Sequence, residues 1–253
     1  MSLPTDDLGH PYDGPSPAAR VVSLVPSLTE TLASVDRAAV VGATRWCTHP
    51  PDLDATRVRG TKNPDLDAIR ALAPDVVVAN KEENRELDVA RLRESGIRVW
   101  VTDIATVPDA IGSIGRLLDA LGWSRPPWLA EAERRWCGPL PAVSRRVAVP
   151  IWRDPWMVVG GDTFTSDLLR RLGWVNVFAD AERYPGTTPA EIDDRAPDVV
   201  LLPDEPYVFT ADDGPEAFTS PTALVSGRLL TWYGPSLLEE IDPWRPADDP
   251  TGG

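Results

Sequence analysis

The chain carries one pattern twice. The segment IRALAPDVVVANKEEN, from Ile69 to Asn84, and the segment IDDRAPDVVLLPDEPY, from Ile192 to Tyr207, share an APDVV core, and the two cores lie 123 residues apart. Upstream, RVVSLVPS beginning at Arg20 is matched by RVAVPIW beginning at Arg146, 126 residues further on. Two matched pairs at nearly one offset imply two lobes of like plan. Each core is a polar turn feeding a short Val-rich run, and each follows a helix-like stretch, PDLDAIRALA or TPAEIDDRA. Unbroken β-branched runs of this length suit strands buried on both faces of a parallel sheet. Similar runs recur in RVVSLV, AVVGA, IRVWVTD, RVAVPI, MVVGG and RLLTWY. Between them lie amphipathic helices. SLTETLASVD has Ser27 as its expected cap with Glu30 three residues on, and NRELDVARLRESG closes on Gly96.

Strands alternating with helices predict an α/β protein: two Rossmann-like lobes with parallel sheets, joined by a backbone helix, with a ligand cleft between the lobes. The expected N-terminal lobe is 20–122, the linker with its backbone helix 123–145, and the C-terminal lobe 146–241. Residues 1–19 and 242–253, rich in Pro, Gly and Asp, read as flexible tails.

A formal net charge of -14 argues against nucleic acid as a partner, since phosphates would be repelled. No apolar run is long enough to span a membrane. The opening MSLPTDDLGHPYDG has neither the basic nor the apolar region of an export signal, and no lipobox is present. The expectation from the chain as written is a cytoplasmic monomer, extracytoplasmic if a leader has been trimmed. Two widely separated cysteines, Cys47 and Cys137, offer no disulfide framework.

In open α/β sheets ligands bind outside the carboxyl ends of the strands. After AVVGA comes RWCTHPP, with Arg45, Trp46, Cys47 and His49; after DVVVAN come Lys81 and Glu82. In the second half the matching positions hold Trp152, Arg153 and Trp156, then Glu205 and Tyr207, and Trp232 after RLLT. Large rings beside a few cations suit a flat organic ligand with polar or anionic edges. A protein-only metal site is poorly supported, because Cys47 and His49 lack a specified third and fourth ligand. His49 is a candidate axial ligand to a cofactor metal, where the cofactor would supply the remaining bonds. The alternative is a cytoplasmic enzyme or ligand sensor on the same scaffold using Cys47 and His49, which would need an orienting group and an oxyanion hole.

The blocks RVVSLVPSLTETLASV, VVGATRWCTHPPD, NPDLDAIRALAPDVVVAN and WMVVGGDTFTSDLLRRLGWVNVF, in this order, resemble class III periplasmic binding proteins, and most nearly their cobalamin-binding and helical-backbone metal-receptor branch. The resemblance implies a non-catalytic substrate-binding protein for a metal-containing organic ligand, cobalamin-like first and haem or ferric siderophore second. It implies no intrinsic cofactor, the metal chelate being cargo passed to an ABC permease. Trp46, Trp152 and the region of Tyr184 fall near the family's corrin-facing aromatics, and GTKNPD places Lys62 and Asn63 where an aromatic residue would stand. The carboxylates that would meet a permease match Glu86 in the first lobe and Glu191 or Glu205 in the second.

Overall fold

The computed structural model describes residues 3–241; the stretch 242–253, expected as a tail, lies outside the described residues. Contacts between Cα atoms divide the chain into two compact units. The first takes the chain up to Ile104, then Pro108–Arg135 and Tyr233–Pro235; the second takes Ala105–Val107, Trp136–Trp232 and the chain from Ser236 onward.

In chain order the first half holds β1 (Val21–Ser23), α1 (Pro26–Val35), β2 (Val40–Ala43), β3 (Thr56–Arg57), the short pair β4 (Arg59–Gly60) and β5 (Asn63–Pro64), α2 (Leu66–Ala71), β6 (Val76–Asn80), α3 (Glu86–Glu94), β7 (Val99–Thr102), α4 (Val107–Ala120) and α5 (Pro127–Trp136). Five strands form a wholly parallel sheet in the order β3-β2-β1-β6-β7. Then follow β8 (Arg145–Ala148), β9 (Pro150–Trp152), β10 (Met157–Val158), α6 (Phe164–Arg171), β11 (Trp174–Asn176), α7 (Pro189–Asp194), β12 (Val199–Pro203), β13 (Thr222–Val225) and α8 (Gly227–Thr231). Their main sheet is also parallel, in the order β11-β8-β12-β13.

The sequence repeat has a physical cause. Asp75 opens β6 and its Oδ2 accepts from Arg20 N–H at 2.9 Å, while Asp198 opens β12 and accepts from Arg146 N–H at 2.7 Å. Each arginine then donates its guanidinium to carbonyls at the end of the preceding helix, Leu72 in one unit and Arg195 and Ala196 in the other. The APD turns are alike to the backbone: Ala73 and Ala196 both have positive φ, at 43° and 48°. The motif therefore registers the β1–β6 and the β8–β12 pairs.

Strand burial follows from covered sheets. In the second unit Val199 and Leu201 point into a cluster with Val147, Leu169 and Leu230, whereas Val200 and Leu202 point into one with Ala148, Ile192 and Phe209. Each such fully buried side chain contributes about 1.5–3 kcal/mol. Helix starts are set by side-chain caps: Asp65 accepts from Ala68 N–H at 3.1 Å, and Thr188 forms a reciprocal capping box with Glu191.

Four expectations change. RLLTWY is not a strand; Arg228–Thr231 lies in α8, and the edge strand is Thr222–Val225, paired with β12. A short apolar run fits a buried helix as readily as a strand, and Leu230 here is fully buried. MVVGG supplies only β10, the return arm of an antiparallel hairpin with β9. Helix α1 starts on Pro26 rather than on a Ser27 cap, with Val25 as N-cap and no side-chain bond. Finally, the segment before Arg20, read as a tail, is held by buried Asp6, Tyr12 and Ala18.

Candidate functional site

In the first unit the carboxyl ends of β1, β2, β6 and β7 share one edge of the sheet, as parallel pairing requires. Asn80 and Asn84 tie these ends together. Asn84 Nδ2 donates to the Leu24 carbonyl after β1 at 3.3 Å and to the Thr61 carbonyl of the β4–β5 turn at 3.0 Å. Its Oδ1 accepts from Asn80 N–H at 2.8 Å, while Asn80 Oδ1 accepts from Glu82 N–H at 2.8 Å. Asn80 Nδ2 reaches Oγ1 of Thr102, the last residue of β7, at 3.1 Å. Both asparagines are buried.

On this frame Arg45 and Trp46 leave β2 outward. Trp46 is 54% exposed, and the Arg45 guanidinium lies 5.0 Å from its ring centroid. Arg45 N–H is held by the Arg59 carbonyl at 2.8 Å. The indole passes close to Gly60, where a Cβ would stand 3.3 Å from Trp46 Nε1. Lys62, on the β4–β5 turn, donates to the Glu82 carbonyl. Lys81 pairs with Asp103 at 2.6 Å. The half-buried His49 has Nδ1 3.1 Å from Thr48 Oγ1.

Cys47 faces inward from the same loop and is fully buried. Its sulfur accepts from Thr29 Oγ1 at 3.0 Å and lies 3.2 Å from Thr44 Oγ1. Burial pushes its thiol pKa up, against those two hydroxyl contacts. A nucleophilic cysteine needs the opposite, a lowered pKa and an exposed sulfur, so the geometry contradicts the Cys47/His49 catalytic alternative. Among the described residues no cluster of three or more His, Cys, Asp or Glu side chains is placed to hold a metal.

In the second unit the β9–β10 hairpin and the loop after β12 build an aromatic cluster. Trp152 packs edge-on against Tyr207 at 5.7 Å, and Tyr207 lies 4.7 Å from Phe209. Trp156 stacks on Phe209 at 5.8 Å and meets Phe218 edge-on at 5.2 Å. Arg153 bends back into this cluster, 5.4 Å from the Trp156 centroid, and is neutralised by Asp213 and by Glu216 at 2.6 Å. Tyr207 Oη donates to the other oxygen of Asp213 at 2.6 Å. Trp152 remains 44% exposed. Tyr184, exposed, precedes Pro185 and Gly186, which run beside β10.

Three expected site residues sit elsewhere in role. Trp232 is buried rather than a pocket wall, with Arg228 over its ring at 5.8 Å. Its position follows from α8 replacing the expected strand. Glu205 is half-buried and packs against Gly227, and its Oε1 is buried without a hydrogen-bond partner, so that oxygen is turned away from solvent. Burial raises its pKa, more than the hydrogen bond from the Trp232 side chain lowers it. Glu191 is exposed but closes the α7 capping box, its Oε2 accepting from Thr188 N–H at 2.9 Å. Glu86 is exposed in the first turn of α3. The residues missed by sequence reasoning are those that hold the others: Asn80, Asn84, Asp103, Asp213, Glu216, Phe209 and Phe218. Only Asn80 and Asn84 carried a signal, being polar at a strand exit and four residues apart.

Two parallel sheets, each with its polar and aromatic groups at the strand carboxyl ends, define the class: this is the two-lobed α/β fold of the periplasmic binding proteins. The periplasmic vitamin B12-binding protein of Vibrio cholerae is similar with a TM-score of 0.68 at 19% identity, over 88% of this chain and 93% of that one. A periplasmic heme-binding protein of Pseudomonas aeruginosa gives a TM-score of 0.68 at 19% identity, over 87% and 88%. In sequence, the vitamin B12-binding protein of Salmonella typhi is 27% identical over 199 residues, covering 73% of this chain and 72% of that protein. No family model matches. The resemblance to class III periplasmic binding proteins and their cobalamin-binding branch holds. The same comparisons overturn the cytoplasmic expectation, since the neighbours are periplasmic. That expectation rested on the first residues alone.

Proposed function

We propose that the chain is a non-catalytic binding protein for a cobalamin-like metal chelate, which it delivers to an ABC permease outside the cytoplasm. The observation that carries this reading is the pair of large rings left open at strand carboxyl ends, Trp46 in the first unit and Trp152 in the second. Exposed indoles on a braced frame suit apolar contact with a broad, flat cargo. The vitamin B12-binding relatives support the same reading.

Charge favours a corrinoid over the alternatives. Lys81 is neutralised by Asp103 and Arg153 by Asp213 and Glu216, and Lys62 is turned to a carbonyl. Arg45 and Lys62 are the two of these without an acidic partner among the described residues. A porphyrin with two carboxylates, or a ferric siderophore with several negative charges, would meet few unmatched cations on a chain of net charge -14. A cargo with mostly neutral amide edges would not incur that cost. His49, next to the Trp46 loop, is the candidate axial ligand to the cargo metal, and Glu86 the candidate permease contact.

Titration of tryptophan fluorescence with cyanocobalamin, haem and a ferric siderophore tests the reading. Saturable quenching by cyanocobalamin at lower concentration than by the two anionic chelates is expected. Response to neither cobalamin nor the other chelates would sink it.

A further inference from the structure

Strand β7 lies at the outer edge of the first sheet, so among the described residues one row of its backbone donors and acceptors has no neighbouring strand. That row is occupied by the segment Thr5–Ala18. Val101 N–H donates to Asp6 Oδ2 at 3.1 Å and Asp103 N–H to Asp7 Oδ2 at 3.0 Å. Asp7 N–H donates to the Val101 carbonyl at 3.1 Å. The Val99 carbonyl accepts from Arg93 Nη2 at 3.1 Å, and the same nitrogen holds Asp6 at 2.9 Å. Two side-chain carboxylates, one backbone N–H and the Arg93 guanidinium thus take the place that a sixth strand's backbone would fill.

The segment is a strap rather than a strand. Pro4, Pro11, Pro15 and Pro17 have no N–H to place in a ladder. It closes on itself through Asp6 N–H to the His10 carbonyl and Tyr12 N–H to the Pro4 carbonyl, both at 2.8 Å, around Gly9 at φ 82°. It is fixed at separate points: Asp7 to Arg116 of α4 at 2.6 Å, Asp13 to Arg98 at 2.7 Å, and Tyr12 edge-on to Trp100 at 6.2 Å. Between those points it does not close down. A solvent-open groove of about 250 Å³ lies among His10, Tyr12, Arg93 and Arg98. A cover held by discrete locks beside an open groove opens more readily than a zipped strand.

We propose that Thr5–Ala18 is a releasable edge guard, locked by Asp6 and Asp7, whose function is to keep β7 from pairing with β7 of a second copy. The guarded stretch, VWVT, is short, β-branched and apolar, and its Trp100 is only 1% exposed under the strap. Uncovered, it would offer both an open hydrogen-bonding edge and an apolar ring, and two such edges close each other by antiparallel pairing about a two-fold axis. The acidic strap opposes that association while it is seated.

Amide hydrogen exchange on the unmodified chain tests the lock without any substitution. The amides of Asp7, Val101 and Asp103 should exchange together, faster than those of Val77 to Ala79 in the interior β6. The double variant Asp6→Ala/Asp7→Ala should raise exchange at Val101 and Asp103 by about tenfold or more and dimerise with rising concentration in sedimentation velocity. Exchange of Val101 and Asp103 at the β6 rate in the unmodified chain would overturn the proposal, as would a folded double variant with a freely exchanging edge that stays monomeric.

Discussion

Trp46 and Cys47 are adjacent and turn opposite ways, one 54% exposed and one fully buried. Trp46→Ala should therefore weaken cyanocobalamin binding by about tenfold, the worth of one stacked ring, while Cys47→Ser leaves the dissociation constant within about twofold; calorimetric titration of the two variants checks both. Glu205 makes a pH prediction. A carboxyl whose folded pKa is raised binds its proton more tightly when folded, so its stabilising contribution is present in acid and lost as pH rises through the folded pKa. Glu205→Gln should accordingly raise the melting temperature at neutral pH and leave it unchanged near pH ~4, the ordinary glutamate range. An equal shift at both values would refute the assigned protonation. At this scale the sequence was only partly legible. Trp46 and Trp152 could be placed because a strand exit fixes the neighbourhood of the next residue. Asp103, Asp213 and Glu216 could not, because among 39 acidic residues nothing local marks those that fold back onto a cation.

Two elements carry the first unit's candidate surface, the β6 exit and the β4–β5 turn, and Asn84 bonds both. Replacing Asn84 by Ala strands the Leu24 and Thr61 carbonyls and the Asn80 N–H, and should cost about 1–3 kcal/mol, read as a lower urea midpoint with unchanged slope. In the second unit, α7 starts on the Thr188–Glu191 box. Thr188→Ala should cost about 0.5–2 kcal/mol, and Glu191→Gln, which keeps an acceptor, should cost less by the same measurement. Strands and helices bounded by polar signals were legible in sequence: the APD turn fixed β6 and β12, and Gly96 at φ 81° ends α3 as its position implied. RLLTWY misled because four apolar residues have no period, and whether they become strand or helix depends on Thr222–Val225 having already taken the sheet edge.

For the whole molecule, the repeat made the architecture readable long before any site. A strand order of β2-β1-β6-β7 in one unit and β11-β8-β12-β13 in the other is the same plan twice, and the two Arg–Asp locks that register it stand 123 and 126 residues apart as the sequence shows. The N-terminal segment was the opposite case. Its Pro and Gly content reads as a tail, yet Asp6 and Asp7 seat it along β7, a contact across nearly a hundred positions that no local pattern announces. The central claim, that this scaffold binds a neutral corrinoid without catalysing its change, is tested most directly by isothermal titration with cyanocobalamin, followed by mass analysis of the recovered ligand. The account predicts saturable one-to-one binding, little weakened by raised salt, with the corrinoid returned unaltered. No heat of binding, or a corrinoid recovered with a changed mass, would contradict it.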